Sequence, residues 1–363
     1  MSTFQRPTPK GRGTPLQPSN RFLPLHVEDD FEQLAEEDEL FDRLQRPHTT
    51  YFPDDSLSIV ATNSSPDIPF RYSVNPYRGC AHGCSYCYAR PSHEFFGLSA
   101  GLDFETNVFV KLHAPELFRE WLSRDGWQCE SIAFSGVTDC YQPAEREFRL
   151  TRGCLEVAAE CGQPLGIVTK NALVTRDLDL LAAMASRASV RVAMSITTLD
   201  ARLARIMEPR TSSPDARLRT VRELTDAGVP AVVMVAPVIP GLNDAELPGI
   251  LEAAAAAGAQ SAGYTLLRLP GSVRPIFLDW LARHLPDRRS RVESFIRQTR
   301  EGQLSNARFG ERMRGSGFWA EQIRQTFAMF RRRYGLDKSL EPLSTDHFRR
   351  PLPRSGQMRL FER

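Results

Sequence analysis

The chain has 363 residues, 41% of them hydrophobic and 25% charged, with a formal net charge of +2. That balance supplies a large apolar core and an ordinary charged surface, and no run reaches the ~18 apolar residues that a membrane span needs. Met1–Asn20 is polar and rich in Pro and Gly, without the apolar stretch of a secretory leader, and the seven cysteines are an odd number. A disulfide framework is therefore disfavoured, and reduced thiols in a cytoplasmic setting are expected.

Residues 1–65 read as a polar extension without a core. Pro7, Pro9, Gly11, Gly13, Pro15 and Pro18 punctuate its start, and Glu28–Asp42 holds nine carboxylates. Low hydrophobicity with dense charge cannot offset the entropy of ordering, so disorder is predicted there, with one short helix near Phe31–Leu44. From residue 66 the pattern changes. Apolar or β-branched runs at Arg71–Asn75, Ser131–Ser135, Leu165–Thr169, Val190–Thr197, Ala231–Val238 and Ala262–Leu269 predict strands. Between them, Ala114–Leu122, Leu150–Cys161, Arg176–Ala185, Ala216–Ala227 and Glu246–Ala257 carry helical spacing. Six β-α units over residues 66–274 predict a parallel sheet, either a curved partial barrel or an open doubly wound sheet. Residues 275–345 predict a basic α-helical extension, with helices at Pro275–His284, Ser290–Glu301 and Trp319–Tyr334, and 346–363 a flexible tail. Residues 281–363 carry a net +10 and residues 1–280 a net −8. Such a basic cap suits a phosphate backbone as well as it suits a solvated helical surface.

Cys80-Ala-His-Gly-Cys84-Ser-Tyr-Cys87 is a C-x3-C-x2-C pattern directly after the first predicted strand. Three thiolates this close can ligate one polynuclear centre, with Gly83 easing the turn. A fully ligated cubane takes four cysteines, so a [4Fe–4S] cluster held here keeps one iron open for another ligand. The alternatives are a structural zinc, which usually takes two cysteine pairs or a His-x3-5-His partner, and unliganded thiols. His82, between two of the cysteines, is awkwardly placed to ligate with them.

The triplet resembles the signature of the radical S-adenosylmethionine (SAM) superfamily, C-x3-C-x-aromatic-C, with Tyr86 in the aromatic place. Cys84-Ser-Tyr-Cys87-Tyr88-Ala89-Arg90, Val137-Thr138-Asp139, Thr169-Lys170-Asn171, Ser195–Thr198, Glu208-Pro209-Arg210, Ile239–Asp244 and Leu267–Pro270 are similar to its spore photoproduct lyase-related, "DNA repair photolyase"-like branch. The likeness spans about residues 70–335. It implies a partial (βα)6 TIM-type barrel, a [4Fe–4S] cluster on Cys80, Cys84 and Cys87, and SAM chelated at the open iron. It implies too that an electron, from a flavodoxin- or ferredoxin-type donor, cleaves SAM to methionine and a 5′-deoxyadenosyl radical. The best-defined activity of the branch is lyase repair of a thymine dimer lesion, which makes nucleic acid a candidate partner. Radical modification of RNA or a peptide is the alternative. A zinc-stabilised binding module without catalysis is the alternative from another class.

Each motif falls at the carboxyl end of a predicted strand, where α/β enzymes gather their chemistry. By the resemblance, Ser135, Gly136, Thr138 and Asp139 occupy the place of the SAM amino group. Lys170 suits the SAM carboxylate, because an unpaired buried ammonium is costly. Ser195 and Thr197 are candidates for the carboxylate or ribose hydroxyls, and Val238 and Gly241 for the adenine. Tyr86 is a candidate for packing on the cluster or adenine. Tyr86 and Tyr88 also match tyrosines that assist hydrogen return in the lyases. The lyases' hydrogen-donating cysteine corresponds to Gly136 here, and Cys140, four residues on, is the candidate redox-active thiol. Arg210 and Arg268 are candidates for anionic substrate groups, with Glu208 the rival partner of Arg210. Arg312 and Arg314 lie in a run of arginines, glycines and aromatics, Arg308–Trp319, that suits a groove tracking a nucleic-acid backbone. A lesion in a duplex would have to be turned out to reach the barrel. Cys129, Cys154 and Cys161 read as packing residues.

Overall fold

The computed structural model describes residues 9–23 and 45–352. The helix expected near Phe31–Leu44 and the tail beyond residue 352 lie outside the described residues. Ten strands are present among them: β1 (Thr50–Pro53), β2 (Val60–Thr62), β3 (Tyr72–Val74), β4 (Tyr77–Arg78), β5 (Asn107–Val110), β6 (Ile132–Phe134), β7 (Leu165–Thr169), β8 (Val190–Ser195), β9 (Ala231–Val238) and β10 (Ser261–Leu266). The longer helices are α1 (Ala114–Leu122), α2 (Leu150–Cys161), α3 (Leu178–Ala185), α4 (Ala201–Met207), α5 (Pro214–Asp226), α6 (Leu247–Ala256), α7 (Val273–His284), α8 (Pro286–Gln298) and α9 (Gly317–Arg333). None is long and apolar enough to cross a membrane.

The main sheet has the order β10-β9-β8-β7-β6-β3-β2. Every pair from β3 to β10 is parallel, and β2 adds one antiparallel strand at the edge. The order runs without reversal. A doubly wound sheet would reverse at a switch point, so the choice left open by periodicity falls to a barrel wall, whose two edges do not pair with each other.

Burial alternates along the wall with the two-residue period of a strand. Leu165, Ile167, Val190, Val192, Met194, Val233 and Val235 are inaccessible and pack with Phe118, Leu155, Leu181, Val221 and Ile250 from the helices. Gly166, Val168, Ala193, Val232, Met234 and Gly263 on the other face keep some accessibility. Helices thus cover one face only, and small or apolar side chains line a hollow on the other.

The helical extension closes an edge rather than standing apart. Leu266 N–H donates to the Met313 carbonyl at 2.9 Å and Ala262 N–H to the Leu336 carbonyl at 3.3 Å. Tyr264 of β10 and Phe327 of α9 meet with ring centroids 4.6 Å apart. An uncovered parallel edge would invite pairing with another chain.

Both chain ends depart from the sequence expectation. Of the extension expected to be disordered, residues 45–65 supply β1, which pairs with β5 in a second sheet of order β1-β5-β4, and β2. Residues 9–23 lie along the cysteine loop and its neighbours. Leu102 N–H donates to the Leu16 carbonyl at 3.0 Å, Gly13 N–H to Glu105 Oε2 at 2.9 Å, and Asn20 Nδ2 to the Glu94 carbonyl at 2.7 Å. This arm brings no apolar core; it gains order from backbone hydrogen bonds onto a surface that the rest of the chain has built. The end of the expected helical extension, which is not helical beyond residue 335, and the first part of the expected flexible tail are also docked. Ser344 N–H donates to the Ala188 carbonyl (2.9 Å), Arg349 N–H to the Cys161 carbonyl (2.7 Å), and Arg350 pairs with Asp125 (2.8 Å). The segment thereby crosses the loops that enter β6, β7 and β8.

Gly13 is the tightest point of the arm: a Cβ there would stand 1.7 Å from the Gly83 carbonyl oxygen. Gly13→Ala is expected to lower stability by about 1–3 kcal/mol, the usual cost of overpacking, in chemical denaturation. Gly126→Ala, with nothing within 4 Å of its Cβ, is the control and leaves the midpoint unchanged.

Candidate active site

The cysteine loop follows β4 and is held from several sides. Cys80 N–H donates to the Phe104 carbonyl at 2.8 Å and Ser85 N–H to the Met207 carbonyl at 3.0 Å. The Gln142 side chain bridges the Ala81 N–H and the Gly79 carbonyl, each at 3.0 Å. Arg90, sealed from solvent, donates to the Cys84 carbonyl (3.0 Å), the Gly101 carbonyl (2.9 Å) and Glu105 Oε1 (2.5 Å).

Cys80, Cys84 and Cys87 are free thiols, the first two buried and the third half-buried. Burial pushes all three above the ordinary thiol range, with their mutual charge adding to it for Cys80 and Cys84. Ligation by a cation is what would favour their thiolates. Among the described residues no group of three His, Cys, Asp or Glu side chains gathers closely enough to hold a single metal ion. A cubane takes one iron per sulfur and so presents separate metal ions to the three thiols. The Ser85 hydroxyl, in the same loop, is buried without a partner, a donor left for a bound group. The donor set therefore fits the cluster. His82 does not join it: its ring meets Asn171 Nδ2 at 3.1 Å and Asp139 Oδ2 at 3.4 Å. Burial, partly offset by Asp139, lowers its pKa and keeps it neutral.

Beside the thiols, side chains from the ends of β7, β8 and β9 converge. Lys170 Nζ donates to Ser195 Oγ (2.5 Å) and the Ala236 carbonyl (3.0 Å), and lies 3.6 Å from Glu208 Oε1 and 5.8 Å from the Tyr86 ring centre. Glu208 accepts from Thr197 Oγ1 at 2.6 Å, from the Tyr86 hydroxyl and from Arg217. Burial alone would raise the Glu208 pKa, but Arg217 and Lys170, helped by Thr197 and Tyr86, bring it down to about 2. Burial and Glu208 push the Tyr86 phenol well above its usual range. Asp139 joins from β6, accepting from Thr169 Oγ1 and the Lys170 N–H, both at 2.8 Å.

The structure thus gathers Tyr86, Asp139, Lys170, Ser195 and Thr197. Ser135 adopts a left-handed φ of 68° at the rim and accepts the Cys140 N–H at 2.8 Å. A Cβ on Gly136 would stand 2.7 Å from Ser73 Cβ, and its carbonyl accepts the Tyr88 hydroxyl at 2.9 Å. Thr138 Oγ1 donates to the Tyr77 carbonyl at 2.7 Å.

Other candidates stand elsewhere. Cys140 is fully buried in the main core, with Asp139, Ser135, Glu145 and Thr151 around it. A thiol facing an empty cavity would retain accessibility; this one has none. Val238 is buried, its carbonyl accepting the Leu267 N–H at 2.9 Å, and the nearest neighbour of a Cβ on Gly241 would be Phe295 of α8, at 2.9 Å. Arg210 does not pair with Glu208; it donates to Thr49 Oγ1 at 3.2 Å. Arg312 pairs with Asp67 at 2.6 Å, Arg314 lies near Tyr264, and Arg268 donates to the Met313 sulfur at 3.6 Å.

Glu208's true partner, Arg217, escaped the sequence reading. Its signal was there: Arg217 shares the buried stripe of α5 with Val221 and Leu224, and an arginine in an apolar stripe needs an acid.

The wall, its loaded rim and the cysteine loop define an α/β enzyme with a metal-centred site. Residues 74–254 match the model of the radical SAM superfamily. An uncharacterised protein of Mycobacterium tuberculosis (strain ATCC 25618 / H37Rv) is 42% identical over 233 residues, covering 64% of this chain and 68% of that protein. A solved spore photoproduct lyase variant matches with a TM-score of 0.57 at 17% identity, over 78% of each chain. A spore photoproduct lyase complexed with dinucleoside spore photoproduct gives 0.54 at 17% identity, over 78% of this chain and 77% of that one. The chain belongs to the radical SAM superfamily, whose enzymes use a [4Fe–4S] cluster and SAM. The zinc-stabilised module is accordingly set aside.

Glu208→Gln leaves Arg217 and Lys170 without their buried counter-charge and is expected to cost about 3–5 kcal/mol in denaturant unfolding. The wild-type contribution is complete above the ordinary carboxyl value of 4.5 and disappears as pH falls towards about 2. The variant's stability should be flatter across that acid window.

Proposed function

We propose that this enzyme directs radical SAM chemistry at a damaged nucleotide presented to the carboxyl-terminal rim, in the manner of a spore photoproduct lyase. When bound, the cluster and SAM supply one-electron chemistry that yields a hydrogen-abstracting radical. Cys80, Cys84 and Cys87 would hold the cluster. Lys170, fixed by Ser195 and the Ala236 carbonyl, would take the SAM carboxylate, and Asp139 with the backbone at Ser135–Thr138 its amino end. Arg217 and Lys170 keep Glu208 charged, and hydrogen bonds from Thr197 and Tyr86 orient it. The inner wall offers room at Gly166, where a Cβ would meet nothing within 4 Å, and its apolar lining suits a planar base.

One observation carries the substrate reading. Tyr88, next to the last cysteine, is 50% exposed and held to the Gly136 carbonyl, and Arg268 is close enough to influence its phenol. Arg268 donates only to the Met313 sulfur and feels Asp67 from beyond ion-pair distance, whereas neighbouring Arg312 takes Asp67 directly at 2.6 Å. A phenol at the mouth can give a hydrogen atom to a substrate radical, becoming a phenoxyl radical that one electron from the reductant and one proton restore, and a guanidinium beside it with donors to spare suits a phosphate. Tyr88, rather than the buried Cys140, faces the substrate in this reading. A flavodoxin- or ferredoxin-type protein is the proposed reductant, and the cytoplasm the proposed compartment.

The test uses anaerobically reconstituted enzyme with SAM, dithionite and a dinucleoside lesion, with products identified by mass. Turnover of the lesion is expected, with Cys140→Ala retaining it. Lys170→Met should weaken SAM binding about 10- to 100-fold, the worth of a charge-assisted contact, at unchanged iron content. Arg268→Gln should weaken binding of a lesion-bearing oligonucleotide. No change in the lesion, with new masses on RNA or a peptide instead, would overturn the nucleotide-repair reading.

A further inference from the structure

A pocket of about 440 Å³ opens on the outer side of the cysteine loop, between the N-terminal arm and the segment that follows α4. Lys10, Arg12, Arg46, His48, Thr49 and Arg210 line it, and none of its lining side chains is acidic. Arg12 is only 8% exposed. Its guanidinium donates to the Glu105 carbonyl (2.8 Å), the Pro47 carbonyl (2.6 Å) and Thr49 Oγ1 (2.9 Å). Arg210 donates to the same hydroxyl at 3.2 Å. Two guanidinium groups therefore share one neutral oxygen. Among the described residues Glu105 acts on Arg12 but is committed to Arg90 and to the Gly13 N–H, and Glu147 acts on the lining Tyr51.

The strain of this arrangement is electrostatic. Burial and the like charge of Arg210 depress the Arg12 pKa to about 10, with Glu105 only partly offsetting them. Positive charge gathered in a partly desolvated pocket that no acidic residue lines, among the described residues, is costly, and an anion that bonds to both guanidinium groups relieves it. A tetrahedral dianion offers enough oxygens for Arg12, Arg210 and the cations at the mouth at once. Thr49 Oγ1, accepting from both arginines, still has its own proton to donate.

We infer that this pocket binds a phosphoryl group, held between Arg12 and Arg210 with Lys10, Arg46 and His48 around its mouth. It is separate from the converging rim groups and does not depend on the substrate reading above. Its occupant would also fasten the arm to the cysteine loop, since Arg210 N–H donates to the His82 carbonyl (3.3 Å) and Gly13 abuts Gly83.

The experiment titrates the reconstituted holoenzyme calorimetrically with inorganic phosphate. Saturable binding is expected, weakened at least about tenfold, or 1.4 kcal/mol, in Arg210→Gln and Arg46→Gln. Both side chains are exposed, so the variants should fold, and cluster absorbance verifies that they have. Competition by an undamaged oligonucleotide assigns the phosphoryl group to a nucleic-acid backbone; competition by a mononucleotide alone assigns it to a small phosphorylated molecule. Absence of saturable binding, or equal affinity in wild type and both variants, would sink the proposal. So would capture of an acidic redox protein that needs Arg210 while phosphate neither binds nor competes.

Discussion

A guanidinium sealed from solvent governs the shape of the cofactor loop. Arg90 spends its donors on the Cys84, Ala100 and Gly101 carbonyls and on Glu105, itself inaccessible. A buried ion pair tolerates no missing partner, because the group left behind keeps its full desolvation cost. The loop after β4, the turn at residues 100–105 and the arm that lends Gly13 N–H to Glu105 therefore stand or fall as one unit. Lysine could not substitute there, since a single ammonium cannot reach three carbonyls and a carboxylate in the planar fan that a guanidinium presents.

Across the thiols stands a second buried ionic set, Glu208 with Arg217 and Lys170. Together with Asp139 it places two negative and two positive groups around the ends of β6 to β9. Such a field is close to neutral overall yet strongly patterned. Under the proposed function, the ammonium and carboxylate of SAM would each meet an opposite charge there. Because these groups hold one another before any ligand arrives, little reorganisation is left for the binding step.

How much of this was legible follows the physics of each element. The strands Leu165–Thr169 and Ala231–Val238 and the helices Ala114–Leu122 and Leu150–Cys161 have the bounds read from the sequence, because their order comes from burying their own periodic apolar faces. The cysteine triplet was legible because its chemistry is written in residue type and spacing. The arm was not: residues 9–23 are ordered by hydrogen bonds to carbonyls some 80 residues away, and composition carries no record of an acceptor supplied elsewhere. The burial of Cys140 was hidden for a related reason. Its position next to Asp139 placed it at the rim in sequence, but the left-handed turn at Ser135 sends the chain back into the core before Cys140 is reached. Arg217 was hidden by the ordinary habit of reading arginines on a helix as solvent-facing.

The docked ends change what counts as the smallest working piece of this protein. The stretch shared with the wider superfamily, residues 74–254, lacks Gly13 against Glu105, lacks β2 and β10, and lacks the Met313 and Leu336 carbonyls that occupy the β10 edge. Cut to that stretch, the wall would present two raw borders, and the cofactor loop would lose a wedge on its outer side. Inheritance and foldability thus draw different outlines on one chain. Expression designs that trim the Pro- and Gly-rich start as dispensable would be removing part of the cofactor's housing.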